Sequence, residues 1–333
     1  MTQNALIVEI LRNRTDHGPG TRTTVLFKGC PLRCGWCKAP EALSPRIQVQ
    51  WVDSRCLGCH TCIRTCPNGA LALSDGRGIR RDSHRCRRCG RCAEACPTTA
   101  MQALGTSWSI QRLVKELTGD QSTFARTSGG VTLSGGEPTV QADAAHALLA
   151  RLQELGIHTA LDTCGQCNTE VLGRLLPVTD LVLYDIRHMD PQIHRTLTGL
   201  SNERNLAGAR FIGTQIRRQA PETEWWIRTP LVPGATATAE NIRSIGRFIA
   251  QELKGSPTRW ELCEFDDRCQ DRYASLGMRW QYEGYRRLTS EQLSKLAAHA
   301  KESGVAPSIV HTVPVDAAGT AAYTICKGAR RED

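Results

Sequence analysis

The chain of 333 residues has no run of 18 consecutive apolar side chains, which excludes a membrane-spanning helix. Its first residues, Met1-Thr-Gln-Asn-Ala-Leu-Ile-Val-Glu-Ile, lack the basic start and long apolar core of a secretory signal. Without export, a disulfide scaffold has no oxidising compartment to form in. Yet sixteen cysteines are present, far more than packing requires. They are expected to bind metal in a reducing, oxygen-poor cytoplasm, with no membrane partner. The length accommodates one large α/β domain plus a small inserted one.

The first cysteine group is one ligand short of a zinc site. Lys28-Gly-Cys30-Pro-Leu-Arg-Cys34-Gly-Trp-Cys37-Lys38 offers three thiols spaced CxxxCxxC, directly after the β-branched run Thr23-Thr-Val-Leu-Phe27. Structural zinc takes four ligands, commonly in paired CxxC spacings, and fits this arc poorly. Three thiolates suit three irons of a [4Fe–4S] cube, whose fourth iron then stays open for a ligand.

Residues 52–104 carry an internal repeat. Cys56-x-x-Cys59-x-x-Cys62-x-x-x-Cys66-Pro67 returns 30 residues on as Cys86-x-x-Cys89-x-x-Cys92-x-x-x-Cys96-Pro97. This is the spacing of bacterial two-cluster ferredoxins, in which the fourth cysteine of each run serves the other cluster. One cube is expected on Cys56, Cys59, Cys62 and Cys96, the other on Cys86, Cys89, Cys92 and Cys66. Zinc ribbons also use paired CxxC motifs, and metal analysis separates the two readings. Four thiolates leave no open iron, so these cubes should carry electrons. Much of the net charge of +9 gathers in Arg77-Gly-Ile-Arg80-Arg81-Asp-Ser-His84-Arg85-Cys-Arg87-Arg88-Cys-Gly-Arg91. Such a run is a solvated face, a dock for an acidic electron donor, or a nucleic-acid surface.

Elsewhere the pattern is α/β. Aliphatic and β-branched content predicts strands over residues 5–11 and 23–27, joined by the turn-forming Asp16-His17-Gly18-Pro19-Gly20-Thr21-Arg22. Further strands are expected near residues 131, 157, 180, 224 and 259, alternating with helical patterns over 140–155, up to 176, 191–218, 239–254 and 289–303. Counted from residue 23, six strand-to-helix alternations imply a parallel sheet, two units short of a closed barrel. The expected class is therefore α/β: a partial (β/α)6 barrel with an α+β, two-cluster ferredoxin-like insert. Residues 1–51 would hold the first part of the barrel, 52–104 the insert and 105–333 the remainder.

Polar motifs fall at the carboxyl ends of these strands. Gly135 and Gly136 would let a ligand approach the backbone, and Glu137 could receive an ammonium group. Asp162, Asp185 and Arg187 are either caps and ion pairs or, beside an open iron, a holder for a zwitterion.

Taken together, the chain resembles the activating enzymes of glycyl radical enzymes, a branch of the radical S-adenosylmethionine (SAM) superfamily, in the type with an inserted two-cluster ferredoxin domain. The resemblance covers residues 4 to about 312 and rests on His17-Gly-Pro-Gly20, Arg22-Thr-Thr, Lys28-Gly-Cys-Pro-Leu-Arg-Cys34, Ser134-Gly-Gly-Glu-Pro138, Asp162-Thr-Cys-Gly165, Asp185-Ile-Arg-His-Met189, Thr198-Gly-Leu-Ser-Asn202 and Pro230-Leu-Val-Pro-Gly234. It implies a radical SAM barrel whose Cys30, Cys34 and Cys37 hold the SAM-binding cluster, making three [4Fe–4S] clusters in all. Trp36 and Lys38 would lie beside SAM, Gly136 at its methionine end with Gly135 and Glu137, and Asp185, Ile186 and Arg187 would complete the pocket. A monovalent cation would sit near Asp162, Thr163 and Asp185. Reductive cleavage of SAM would give methionine and a 5′-deoxyadenosyl radical, which takes a hydrogen atom from a glycine of the partner enzyme. A flavodoxin- or ferredoxin-like reductant would feed the insert, and His17-Gly-Pro-Gly20 would belong to the docking face.

Several positions depart from the family pattern. His17 precedes Gly-Pro-Gly where Asp is usual, Lys38 follows the third cysteine where His is common, and Arg187 replaces a lysine. Asp266, in Leu262-Cys-Glu-Phe-Asp266, stands where a related activase places a SAM-contacting histidine. With Cys263 and Cys269, that run resembles activases of arylsuccinate synthases or arylacetate decarboxylases. No role follows from sequence for Cys164, Cys167 or Cys326. Three other readings have clear discriminators. A radical SAM enzyme for a small molecule would leave no glycyl radical on a protein, a plain electron carrier would have no use for an open iron, and a zinc protein binding nucleic acid would hold no iron or sulfide.

Overall fold

The computed structural model of the chain describes residues 3–74, 78–219 and 222–315; Arg77 and Cys326 lie outside them. Strand β1 (Asn4–Arg14) runs antiparallel to β2 (Arg22–Phe27). All six residues of β2 are buried, as its unbroken β-branched and aliphatic run requires.

The insert follows as β3 (Gln48–Trp51), α1 (Thr61–Thr65), β4 (Leu71–Leu73), β5 (Ile79–Arg81), α2 (Arg91–Glu94) and β6 (Met101–Leu104). β3 pairs antiparallel with β6, Gln48 opposite Leu104 and Trp51 opposite Met101, while β4 pairs with β5. The two ends of the insert thus meet as a stem, whose first strand starts at Gln48, ahead of the composition change at residue 52. Val49, Leu71 and Met101 pack with Cys62 and Cys92 as its small core.

The chain returns through β7 (Thr106–Ser109), antiparallel to β1, then α3 (Ile110–Thr118) and α4 (Gln121–Thr127). Alternation then runs β8 (Gly130–Gly135), α5 (Ala142–Glu154), β9 (Thr159–Thr163), α6 (Thr169–Leu175), β10 (Leu181–Asp185), α7 (Pro191–Thr198) and α8 (Glu203–Arg218). It ends with β11 (Glu224–Leu231), α9 (Ala239–Glu252), β12 (Arg259–Glu264), α10 (Gln270–Ser275), α11 (Ser290–Lys301) and β13 (Val310–Val313). The main sheet has the order β13-β12-β11-β10-β9-β8-β2-β1-β7. Neighbours from β2 through β13 are all parallel, so their carboxyl ends share one rim.

The six expected β/α units are present. Two additions escaped the sequence: a seventh parallel strand, β13, of only four residues, and β7 beyond β1. Four-residue strands are too short to display periodicity. Helix starts follow local chemistry: the Asp190 carboxylate accepts the Gln192 and Ile193 amides, and Thr289 forms a capping box with Gln292. Trp225, Trp260 and Leu262 pack beneath α8, α9 and α11, and Val25, Phe27 and Leu133 beneath α3 and α5. Among the described residues no helix is long and apolar enough to cross a membrane.

Candidate active site

The three-cysteine loop leaves β2 at the rim and is held there by backbone bonds from distant segments. Gly29 and Cys30 donate amides to the Ala42 and Leu43 carbonyls, at 2.7 and 3.2 Å. Arg33 donates to the Thr198 carbonyl at 2.7 Å, and Gly35 to Leu197 at 3.4 Å, so the end of α7 shapes the loop. Trp36, Cys34 and Cys37 pack against Phe265, Tyr273, Trp280 and Tyr282, with Trp36 edge-on to Tyr282 at 6.1 Å. Burial among these rings pushes the Cys34 thiol up to about 11 and Cys37 up to about 12. A metal group would therefore have to displace protons on binding, as thiolate ligation generally does. The buried Cys164 thiol acts most strongly on Cys30, lowering Cys30 while Cys164 itself is raised.

Beside the loop lies a charged network. Arg187 donates to Asp185 at 2.7 Å and keeps its charge although burial opposes it. Its Nε has no hydrogen-bond partner within the described residues, an orphaned buried donor that suits an anion. Burial raises Asp185, with Arg187 opposing. Asp162 accepts from Ser134 at 2.6 Å and faces His17 Nδ1 at 3.4 Å and Arg228 at 3.6 Å. Those groups outweigh its burial and hold its carboxyl down at about 2. Arg228 Nε also stands 3.3 Å from Glu261, an ion pair without hydrogen-bond alignment. Asn205 donates to the carbonyls of Cys164 and Asp185, and Asn241 to that of Arg187. The turns after β9 and β10 are thereby tied together.

In the insert, the cysteines surround two cavities. One is lined by Cys56, Cys59, Cys62 and Cys96 with Trp51 and Met101. The other is lined by Cys66, Cys86, Cys89 and Cys92 with Val49 and Leu71. The repeat crosses over in space: three thiols of each copy meet the fourth of the other. Cys66 and Cys96 each accept a backbone N–H at 3.3 Å, from Ala70 and Met101. Left-handed His60 and Gly90 start α1 and α2 at matching places. Among the described residues no three His, Cys, Asp or Glu side chains converge as a single metal ion requires. Four thiols line each space, the donor count a [4Fe–4S] cluster takes.

Comparison with known proteins adds the family. The 4Fe-4S dicluster domain matches residues 55–100. The (2S)-3-sulfopropanediol dehydratase activating enzyme of Klebsiella oxytoca is 33% identical over 307 residues, 90% of this chain and 95% of that protein. The chain belongs to the activating enzymes of glycyl radical enzymes. An isethionate sulfite-lyase activating enzyme of Oleidesulfovibrio alaskensis is 40% identical over 70% of this chain and 76% of its own. The indoleacetate decarboxylase activating enzyme of Tractidigestivibacter scatoligenes is 36% identical over 74% of this chain and 79% of its own. The protein is thus a radical SAM activase with iron–sulfur clusters and a glycyl radical enzyme as partner.

In this activase some motif residues do work that the sequence did not reveal. The room at Gly136 is taken by protein: a Cβ there would lie 2.3 Å from the Gly29 carbonyl oxygen and 2.8 Å from that of Ala42. Gly136 donates to Phe27 and Glu137 to Gly29, so the glycine turn is clamped to the start of the cysteine loop. Gly136→Val should destabilise by about 3 kcal/mol or more, read as a lower thermal midpoint, through overpacking and lost bonds. The Glu137 carboxylate, 1% exposed, accepts from Thr163 and Cys164 at 2.7 Å and from Thr139 at 3.1 Å. It braces β8 against β9. Asp266 is similarly engaged, paired with Arg268 at 2.9 Å. Ile186 is buried, and its amide donates to the Arg228 carbonyl.

The His17-Gly-Pro-Gly20 turn also has a packing role. His17 points inward to Asp162, and a Cβ on Gly20 would meet the Thr127 carbonyl oxygen at 2.3 Å. A bulky residue there tests folding and not docking. Arg228 was missed. It occupies one of the half-buried positions that alternate with buried ones along β11.

Proposed function

We propose that the activase carries three [4Fe–4S] clusters, one at Cys30, Cys34 and Cys37 with an open iron for SAM, and one in each cavity of the insert. The observation that carries this is the contrast in donor sets. Each insert cavity is lined by four cysteines, whereas the rim loop supplies three beside the orphaned Nε of Arg187. When bound, the rim cluster supplies the electron that splits SAM into methionine and a 5′-deoxyadenosyl radical, which takes a hydrogen atom from a glycine of the partner.

The chain's own residues do the holding. Arg187, aimed by Asp185, binds the carboxylate of the methionine end, and the Gly135-Gly136 turn, braced by Glu137, fixes the backbone beside it. Trp36 with Phe265, Trp280 and Tyr282 excludes water from the thiolates. Asp266, buried near the same loop, is held down by Arg268 and by the nearby Lys38. Ile186 packs the floor, and Asp162, tied to Ser134, supports the rim from β9. A monovalent cation would have to share Asp162 and Asp185 with Arg228, His17 and Arg187, and Thr163 already donates to Glu137. That donor set does not favour a cation, and we give it no role.

The reductant in this reading is a flavodoxin- or ferredoxin-like carrier acting through the insert, in the cytoplasm. The aryl-type target expected from Leu262-Cys-Glu-Phe-Asp266 rests on that run alone. The relatives are named for three different partners, and identities of 33%, 40% and 36% do not separate them. A panel of glycyl radical enzymes decides. Anaerobic incubation with SAM and reductant should give a glycyl radical resonance on one of them. SAM cleavage with no radical on any, alongside conversion of a small molecule, would contradict the reading.

A further inference from the structure

The insert is its own control, because its two copies share a backbone and differ in charge. Residues 79–96 hold six arginines against two acids, whereas residues 53–66 hold two arginines against one acid. At matched positions 30 residues apart, Arg87 replaces Leu57, Arg88 replaces Gly58 and Arg91 replaces Thr61. Leu57 is 74% exposed, so the first copy shows an apolar tip where the second shows cations. Arg80, Arg81, Arg85, Arg87 and Arg91 are exposed. Within the described residues, no carboxylate stands within ion-pair distance of any of these five or of Arg88. Arg81, Arg87 and Arg88 line the cavity of Cys66, Cys86, Cys89 and Cys92, and Cys89 is exposed.

We propose that the arginine-rich second copy is the docking surface for an acidic electron-carrier protein, so that electrons enter the activase at the Cys66, Cys86, Cys89 and Cys92 cavity. This rests on the relay reading of the insert and names the face that the carrier uses. Cations with no carboxylate partner among the described residues surround one site and an apolar tip lies beside the other, a directional field that steers an anionic partner to one end. The transfer moves one electron from the reduced carrier to the oxidised cluster, with no bond made or broken. Nucleic acid is the weaker occupant, because no aromatic side chain lies between residues 79 and 96 to stack a base.

The test uses the reconstituted holoenzyme and reduced flavodoxin as the acidic probe. Arg80→Glu, Arg85→Glu and Arg91→Glu are combined, since these three do not line the cavity. The triple variant should bind flavodoxin at least roughly tenfold more weakly at low salt and lose most of the salt dependence. Neutral Arg80→Gln with Arg91→Gln should fall between, and Arg55→Glu with Arg64→Glu on the other copy should change binding by less than about twofold. Iron content and dithionite-driven radical formation should match wild type throughout. Unchanged affinity in the triple variant would overturn the proposal, as would equal weakening by the Arg55 and Arg64 pair. So would a duplex oligonucleotide binding as tightly as flavodoxin through the same arginines. Loss of dithionite-driven activation in the triple variant would assign the patch to the glycyl radical partner instead. Failure of wild type with dithionite would overturn the activase reading itself, while the flavodoxin binding arm still decides the dock.

Discussion

Replacing Cys34 by alanine is expected to abolish glycyl radical formation, with SAM cleavage falling by more than about 100-fold. That figure is the upper end of what losing a mere outer-shell partner costs a metal site, and a direct ligand should exceed it. The insert cavities are built from other cysteines, so iron should fall from about twelve to about eight per chain, four for each cube. Cys164 gives the control. Its thiol neighbours Cys30, so it is a candidate fourth thiolate that would close the open iron. Cys164→Ala should keep all three clusters and the response to SAM. Loss of the rim cluster in that variant would make Cys164 a ligand and remove the open position.

The second large effect is expected at Cys59, an exposed member of the first insert cavity. With a reduced carrier protein as donor, Cys59→Ser should slow SAM cleavage by about tenfold or more, because one station of the relay is damaged. With dithionite, which reaches the rim cluster directly, the rate should stay near wild type. Equal turnover with both donors would mean that the insert carries no electrons.

The parts of this activase legible in its sequence are those with fixed spacing. The cysteine quads declared which thiols line each cavity, and six β/α alternations declared the partial barrel. What stayed hidden acts over long separations through the backbone. The Thr198 carbonyl that shapes the cysteine loop lies 165 residues from Arg33, and no periodicity encodes that contact. Gly136 reads as space for a ligand until Gly29 and Ala42 are seen to fill it. Glu137 and Asp162 read as ligand groups, and only packing reveals their bonds and contacts to Thr163, Cys164, Ser134 and His17. The stem strand β3 was absorbed into the barrel because its partner β6 lies across the whole insert.

The central claim is that the loop of Cys30, Cys34 and Cys37 leaves one iron bare, and one measurement bears on it directly. Anaerobically reconstituted and reduced protein is examined by electron paramagnetic resonance before and after SAM is added. The account predicts that one of three cluster signals shifts, that the two insert signals do not, and that the shift vanishes in Cys34→Ala. Identical spectra with and without SAM, at full iron content, would contradict it.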